Sequence, residues 1–211
     1  MIELIYPSLA AFAAASLVIE LVPGPNQTYL AALTLTYGLR AGLAAVAGIA
    51  LGLSVYGLAA ALGVATLIDQ APLLYEILRW AGAFYFLWLA WESWWDKAAV
   101  PFDTAKGDVR VLRTAFRRGL MTNLLNPKAA IFYVAVLPGF IVAGAGSVLV
   151  QTALLSAVFV AVATGTHLLV VLAASRLQRY VADPEWRRPI RRALALVLAA
   201  IAIWFTFSTA R

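Results

Sequence analysis

Glu20, Lys128 and His167 stand deep inside long apolar stretches of this 211-residue sequence. Ionisable groups in such places are costly, and by default they mark a solute pathway or a proton relay. Two of them adjoin proline-interrupted segments, Leu21-Val22-Pro23-Gly24-Pro25-Asn26-Gln27 and Asn123-Leu124-Leu125-Asn126-Pro127-Lys128. Asn126 followed by Pro127 has the form of a helix start, with asparagine as cap and proline at the first helical position, and Gly24-Pro25 reads the same way. Each start leaves backbone N–H groups unpaired, and a helix N-terminus attracts anions. Lys128 adds a positive charge beside the second start. Glu20 sits at the C-terminal end of the helix before the first break, where the dipole and free carbonyls favour a cation. One region thus offers a subsite for a carboxylate and another for an ammonium, built from Glu20, Gly24, Pro25, Asn26, Gln27, Asn123, Asn126, Pro127 and Lys128. Glu20 and His167 are the candidates for proton coupling.

Structural readings stand beside these. Glu20 and Lys128 could pair simply to lock the chain together, and His167 could serve as an interhelical hydrogen-bonding residue. Asn26, Gln27, Thr28 and Asn123 could do no more than satisfy broken backbone.

The elements that must position these residues follow from composition. Hydrophobic residues make up 64% of the chain and charged residues 12%, where soluble domains hold roughly 45 to 50% and about 25%. The chain is therefore read as one integral membrane domain over residues 1–211. With no cysteine, disulfides, thiolate metal sites and iron–sulfur clusters are excluded. A single histidine argues against a His-rich metal site. No cofactor is expected, and no Ser/His/Asp set, carboxylate pair or phosphate-binding glycine loop points to an enzyme.

Six apolar stretches are long enough to span a bilayer: 7–37, 42–68, 73–95, 114–139, 147–174 and 192–208. The first is too long for one straight span, and Pro23-Gly24-Pro25 supplies the break. Glu3, with no basic residue before the first apolar run, argues against a cleaved signal peptide. Tryptophans of the third and sixth spans suit interfacial anchoring. Ala44, Gly48 and Gly52, with Tyr56 next, recur every four residues, a spacing that lets helices approach closely.

Alternating the connections puts Arg40, the 96–118 segment and the 175–192 segment on one side, together carrying 13 of the 16 basic residues. The positive-inside rule makes that side cytoplasmic and puts both termini on the other, periplasmic or extracellular, face. The net charge of +6 then reflects an anionic lipid surface rather than nucleic acid, since no base-reading motif accompanies it. A shift of 102 residues brings Pro25 onto Pro127 and Gly42 onto Gly144. Each break thus opens a three-span half, residues 1–95 and 114–211, joined by a basic loop at 96–113. Odd-numbered halves run in opposite senses, the inverted-repeat plan of many transporters.

The sequence resembles the LysE/RhtB family of bacterial amino-acid exporters nearly end to end. The resemblance rests on Pro23-Gly24-Pro25-Asn26, Tyr37-Gly38-Leu39-Arg40-Ala41-Gly42, Gly48-Ile49-Ala50-Leu51-Gly52 and Trp80-Ala81-Gly82-Ala83-Phe84-Tyr85. It continues through Asn126-Pro127-Lys128-Ala129-Ala130-Ile131-Phe132 and Leu137-Pro138-Gly139-Phe140. It implies an all-α, six-span inner-membrane exporter of amino acids or similar small metabolites, driven by a proton or sodium gradient; a homodimer is compatible with it. Family members often carry Asp at the position of Asn26, a polar residue at that of Leu53 and Gln at that of Gly139, so Glu20 is expected to take the acidic role here. The expected cycle rocks the two halves about a zwitterion held between the broken spans. A metal-ion or other small-solute exporter of the same fold, and a non-transporting membrane scaffold, are the alternatives.

Overall fold

The computed structural model describes residues 2–22, 24–63, 72–95 and 108–181, with 189, 192–193, 195–197, 199–200 and 203 beyond them. Most of the expected sixth span, residues 96–107 of the expected loop and residues 182–188 lie outside the described residues.

Helices alone make up the regular structure of the described residues. In chain order they are α1 (Ile2–Leu21), α2 (Pro25–Tyr37), α3 (Leu39–Ala61), α4 (Pro72–Trp95), α5 (Val109–Leu124), α6 (Pro127–Ile131) and α7 (Val148–Val181). After α6 the chain winds through a π turn, Phe132–Val136, and a 3-10 turn, Leu137–Phe140. By length and composition, Leu39–Ala61 and Val148–Gln178 can each cross a membrane. Ile5–Leu21 with Pro25–Tyr37, and Val109–Leu124 with Pro127–Phe140, qualify as bent pairs turning by 57° and 49°. The third expected span coincides with α4, which carries Glu76, Arg79 and Glu92 and falls outside that set.

Both breaks come where the prolines require them. Pro25 and Pro127 are each the first residue of a helix, where a missing N–H costs nothing. The Asn126 side chain accepts from the Lys128 amide at 3.0 Å, the expected cap. The Gly42–Gly144 match does not extend the correspondence, because Gly42 is helical within α3 whereas Gly144 has φ +76 in a turn.

Other boundaries move for local reasons. Asp108 accepts from the Arg110 amide at 2.8 Å, so α5 starts at Val109 and the arginines at 110 and 113 lie on a helix instead of a loop. α3 ends at Ala61 and Gly63 follows with φ +82, while residues 64–68 of the expected second span lie outside the described residues. α7 runs seven residues past 174.

α3 lies at the centre, packed on α5 and α7, while α7 also contacts α1 and α2. The α3–α5 contact is close enough that a Cβ on Gly48 would overlap the Phe116 carbonyl and lie 2.8 Å from the Leu120 nitrogen. A Cβ on Gly119 would likewise overlap the Ala45 carbonyl. The four-residue stripe is thus a helix–helix seam. Deeper in the core, Phe132 stacks on Phe159 with ring centroids 3.9 Å apart, and Phe12 bridges Phe132 and Phe140 at 5.3 and 5.1 Å. The loop before α7 is held by Gln151, whose amide accepts from the Val142 N–H at 2.9 Å and donates to its carbonyl at 3.0 Å.

Candidate functional site

The two breaks face one another, and each is served by side chains from the opposite half of the chain. Asn26, in the first turn of α2, donates through Nδ2 to Oδ1 of Asn123, near the end of α5, at 3.0 Å. Both side chains are buried, and two of their atoms remain without partners, the acceptor Asn26 Oδ1 and the donor Asn123 Nδ2. Gly52 makes room for this pair, since a Cβ there would sit 2.8 Å from Asn123 Nδ2. Gly82 does the same for α4 beside the second break, where a Cβ would overlap the Leu125 carbonyl.

The carbonyls freed at the end of α1 find side-chain donors. Gln27 Nε2 donates to the Glu20 carbonyl, while Gln27 Oε1 accepts from the Gly24 N–H at 3.2 Å. Lys128 Nζ donates to the Val22 carbonyl at 2.9 Å. The lysine expected beside the second helix start therefore reaches across to the first break, where a helix C-terminus favours a cation. It still lies close to Gly24, at which a Cβ would be 3.6 Å from Nζ. At the second break, Tyr56 of α3 donates to the Leu124 carbonyl at 2.7 Å. Its ring stacks on Tyr133 at 5.9 Å, and the Tyr133 hydroxyl donates back to the Leu53 carbonyl at 2.9 Å. These donors answer a physical demand, since unpaired backbone groups in hydrocarbon cost several kcal/mol each.

Glu20 pairs with His167 of α7. His167 Nε2 lies 3.3 Å from Glu20 Oε2, within ion-pair distance but off the line of a hydrogen bond, and Nδ1 has no partner. The side chains are 8% and 1% exposed. Burial this deep means that charging either group depends on the other, because an isolated buried charge is strongly disfavoured. No ion pair joins Glu20 to Lys128 among the described residues, although the ammonium is near enough to act on the carboxylate through space. The Thr166 hydroxyl also faces Glu20.

All nine residues singled out for substrate binding thus gather around the two breaks, and His167 joins them through Glu20. Sequence reasoning placed Glu20 and His167 separately in spans without pairing them. It also passed over Glu92, Arg118, Tyr29 and Thr122. The available signal was Glu92, an acid inside an otherwise apolar stretch.

Bent apolar helices with buried polar atoms between them have the character of a multi-pass helical membrane protein. Residues 17–209 match the family described as LysE type translocator, and the chain belongs to that family, whose members are translocators rather than enzymes. It is 25% identical over 204 residues to the uncharacterized membrane protein YrhP of Bacillus subtilis, covering 93% of this chain and 97% of that one. It is 31% identical over 131 residues to a homoserine/homoserine lactone efflux protein of Salmonella typhimurium, 62% of this chain and 63% of the relative. A leucine efflux protein of an Enterobacter strain is 36% identical over 123 residues, 58% of each chain. The chain therefore spans less than two thirds of those two efflux proteins. No solved structure matches it.

Proposed function

We propose that the protein exports amino acids or related small zwitterionic metabolites by alternating access, coupled to a proton gradient, through six spans arranged as two inverted three-helix repeats. The observation that carries this reading is the half-used Asn26–Asn123 pair between the two breaks. Its free acceptor suits an ammonium and its free donor a carboxylate, with Glu20 and Lys128 supplying charge of the matching sign nearby. Gly24, Pro25, Gln27, Asn126 and Pro127 shape the backbone around them. Glu20 with His167 takes the coupling proton; sodium is the alternative ion. The printed activities of the homoserine and leucine efflux relatives point to the same substrate class.

The test is flux from proteoliposomes loaded with L-leucine or L-homoserine, with and without an imposed pH gradient. Gradient-dependent efflux is expected, and none for any amino acid would leave a membrane scaffold. In the same assay Lys128→Met is expected to weaken apparent affinity on the order of tenfold, the worth of one charge-assisted hydrogen bond, while the protein remains folded. An unchanged KM would confine Lys128 to its bond with the Val22 carbonyl.

In this reading the basic segments face the cytoplasm and both termini the other side of the inner membrane, on the strength of the positive-inside rule. Reporter fusions at Lys106 and Arg187 are expected to read cytoplasm and a fusion after Arg211 the opposite side; a cytoplasmic C-terminus would overturn the six-span topology.

A further inference from the structure

A second polar cluster lies between α2, α4 and α5, towards the end of α5 that carries its arginines. Arg118 Nη2 of α5 contacts Glu92 Oε1 of α4 at 2.6 Å, and the guanidinium lies 5.6 Å from the centre of the Trp88 ring. The pair is partly open, with side chains 28% and 38% exposed, yet Glu92 Oε2 is buried without a partner. Behind the pair stand Tyr29 and Thr122, 5% and 0% exposed; the Tyr29 hydroxyl has no partner, whereas the Thr122 hydroxyl has the Tyr85 hydroxyl within reach, which itself donates to the Arg118 carbonyl at 3.4 Å. Tyr29 is within electrostatic reach of both Arg118 and Glu92. A dry hydroxyl without a partner, as on Tyr29, is disfavoured in a protein interior unless something polar visits it.

The cluster is continuous with the breaks. Tyr29 follows Asn26 by three residues on α2 and Thr122 follows Arg118 by four on α5, so each of these pairs shares a face, and Thr122 precedes Asn123 in the same turn of α5. Polar groups therefore run from a half-exposed ion pair, past the unpartnered Tyr29 hydroxyl and the Thr122–Tyr85 contact, to the half-used asparagine pair. A zwitterion is the solute such a route can pass at low cost. Its ammonium can take the place of Arg118 on Glu92 while its carboxylate takes the place of Glu92 on Arg118, so neither buried charge is left alone.

We propose that this route is the entry path for a zwitterionic amino acid, with the Arg118–Glu92 ion pair as the gate at its outer end. The assignment rests on the exporter reading above, but its first test needs no transported solute. The sequence contains no cysteine, so a single Thr122→Cys substitution reports access along the path to a charged, membrane-impermeant thiol reagent.

In proteoliposomes, modification of that cysteine is expected to be slow when the ion pair is intact. Glu92→Gln is expected to raise the rate about fivefold, the population shift that a partly exposed ion pair can hold back. Glu92→Asp, which keeps the charge and shortens the reach, is the second variant should the first not fold. The swapped pair Glu92→Arg with Arg118→Glu is expected to restore the slow rate. Equal rates in all of these would make the pair a structural clamp and overturn the gate. Free L-amino acids are expected to slow modification in Glu92→Asp, and the matching decarboxylated amines not to; equal effects of the two would overturn the zwitterion path. A gate response without export would refute the exporter reading alone, and export without a gate response would refute the gate alone.

Discussion

Glu20→Gln in proteoliposomes is expected to lose export driven by a pH gradient, a fall of roughly tenfold or more to the rate seen with no gradient, because an intramembrane acid is the relay being removed. The substitution keeps the shape of the side chain and its place opposite His167, so folding and downhill exchange are expected to survive. What disappears is a group that can exist in two charge states beside His167 and Lys128. Any residual flux is expected to be the same at every imposed gradient. Flux that still follows the gradient in Glu20→Gln would move the coupling role to His167 or to sodium. A protonation role also predicts that the defect is specific to driven transport, whereas a purely structural Glu20–His167 contact would lower the melting temperature and both kinds of flux together.

Gly48→Leu is expected to have the largest effect on stability. The Gly48 position has no space for even a Cβ beside the Phe116 carbonyl and the Leu120 nitrogen, and those atoms are backbone that cannot rotate aside. Overpacking a tight contact costs about 1 to 3 kcal/mol and occasionally more, and here the whole α3–α5 seam must separate. The expected outcome is failure to accumulate in the membrane, or a melting temperature in detergent well below the parent. Gly139→Leu is the control, since nothing lies within 4 Å of a Cβ there. A Gly48→Leu protein as stable as that control would refute the seam.

Much of the helical layout could be read from prolines, because proline acts through its own backbone and needs no distant partner. Pro25 and Pro127 mark helix starts in the sequence and in the structure alike, and Asn126 caps as its type and position imply. Small residues at four-residue spacing also declared the α3 seam, though not which helix would fill it. The pairings at the breaks were not legible in this way. Glu20 meets His167 across 147 positions, and the Lys128 ammonium bonds a carbonyl 106 residues earlier in place of the helix start beside it. Nothing local favours those partners; they follow from how α1, α6 and α7 come together. Arg118 was counted with the other basic residues of the 96–118 segment, on the side that the positive-inside rule makes cytoplasmic. Only the arrival of α4 turns it towards Glu92.

The α3–α5 seam bears on which parts of the molecule can move against one another. α3 comes from the first half of the chain and α5 from the second, yet Gly48 and Gly119 bring their backbones into direct contact. Two rods in contact along their backbones turn as a single body, because no side-chain rotamers lie between them to give way. A cycle in which each half pivots as a rigid block would have to slide this contact apart. The degrees of freedom left to the protein are those of the pieces hung on that strut: the half-helices joined at the bends, and α4 leaning on one of them through Gly82. The joints left to the described helices are thus the two proline bends themselves, on either side of the line where α3 and α5 touch.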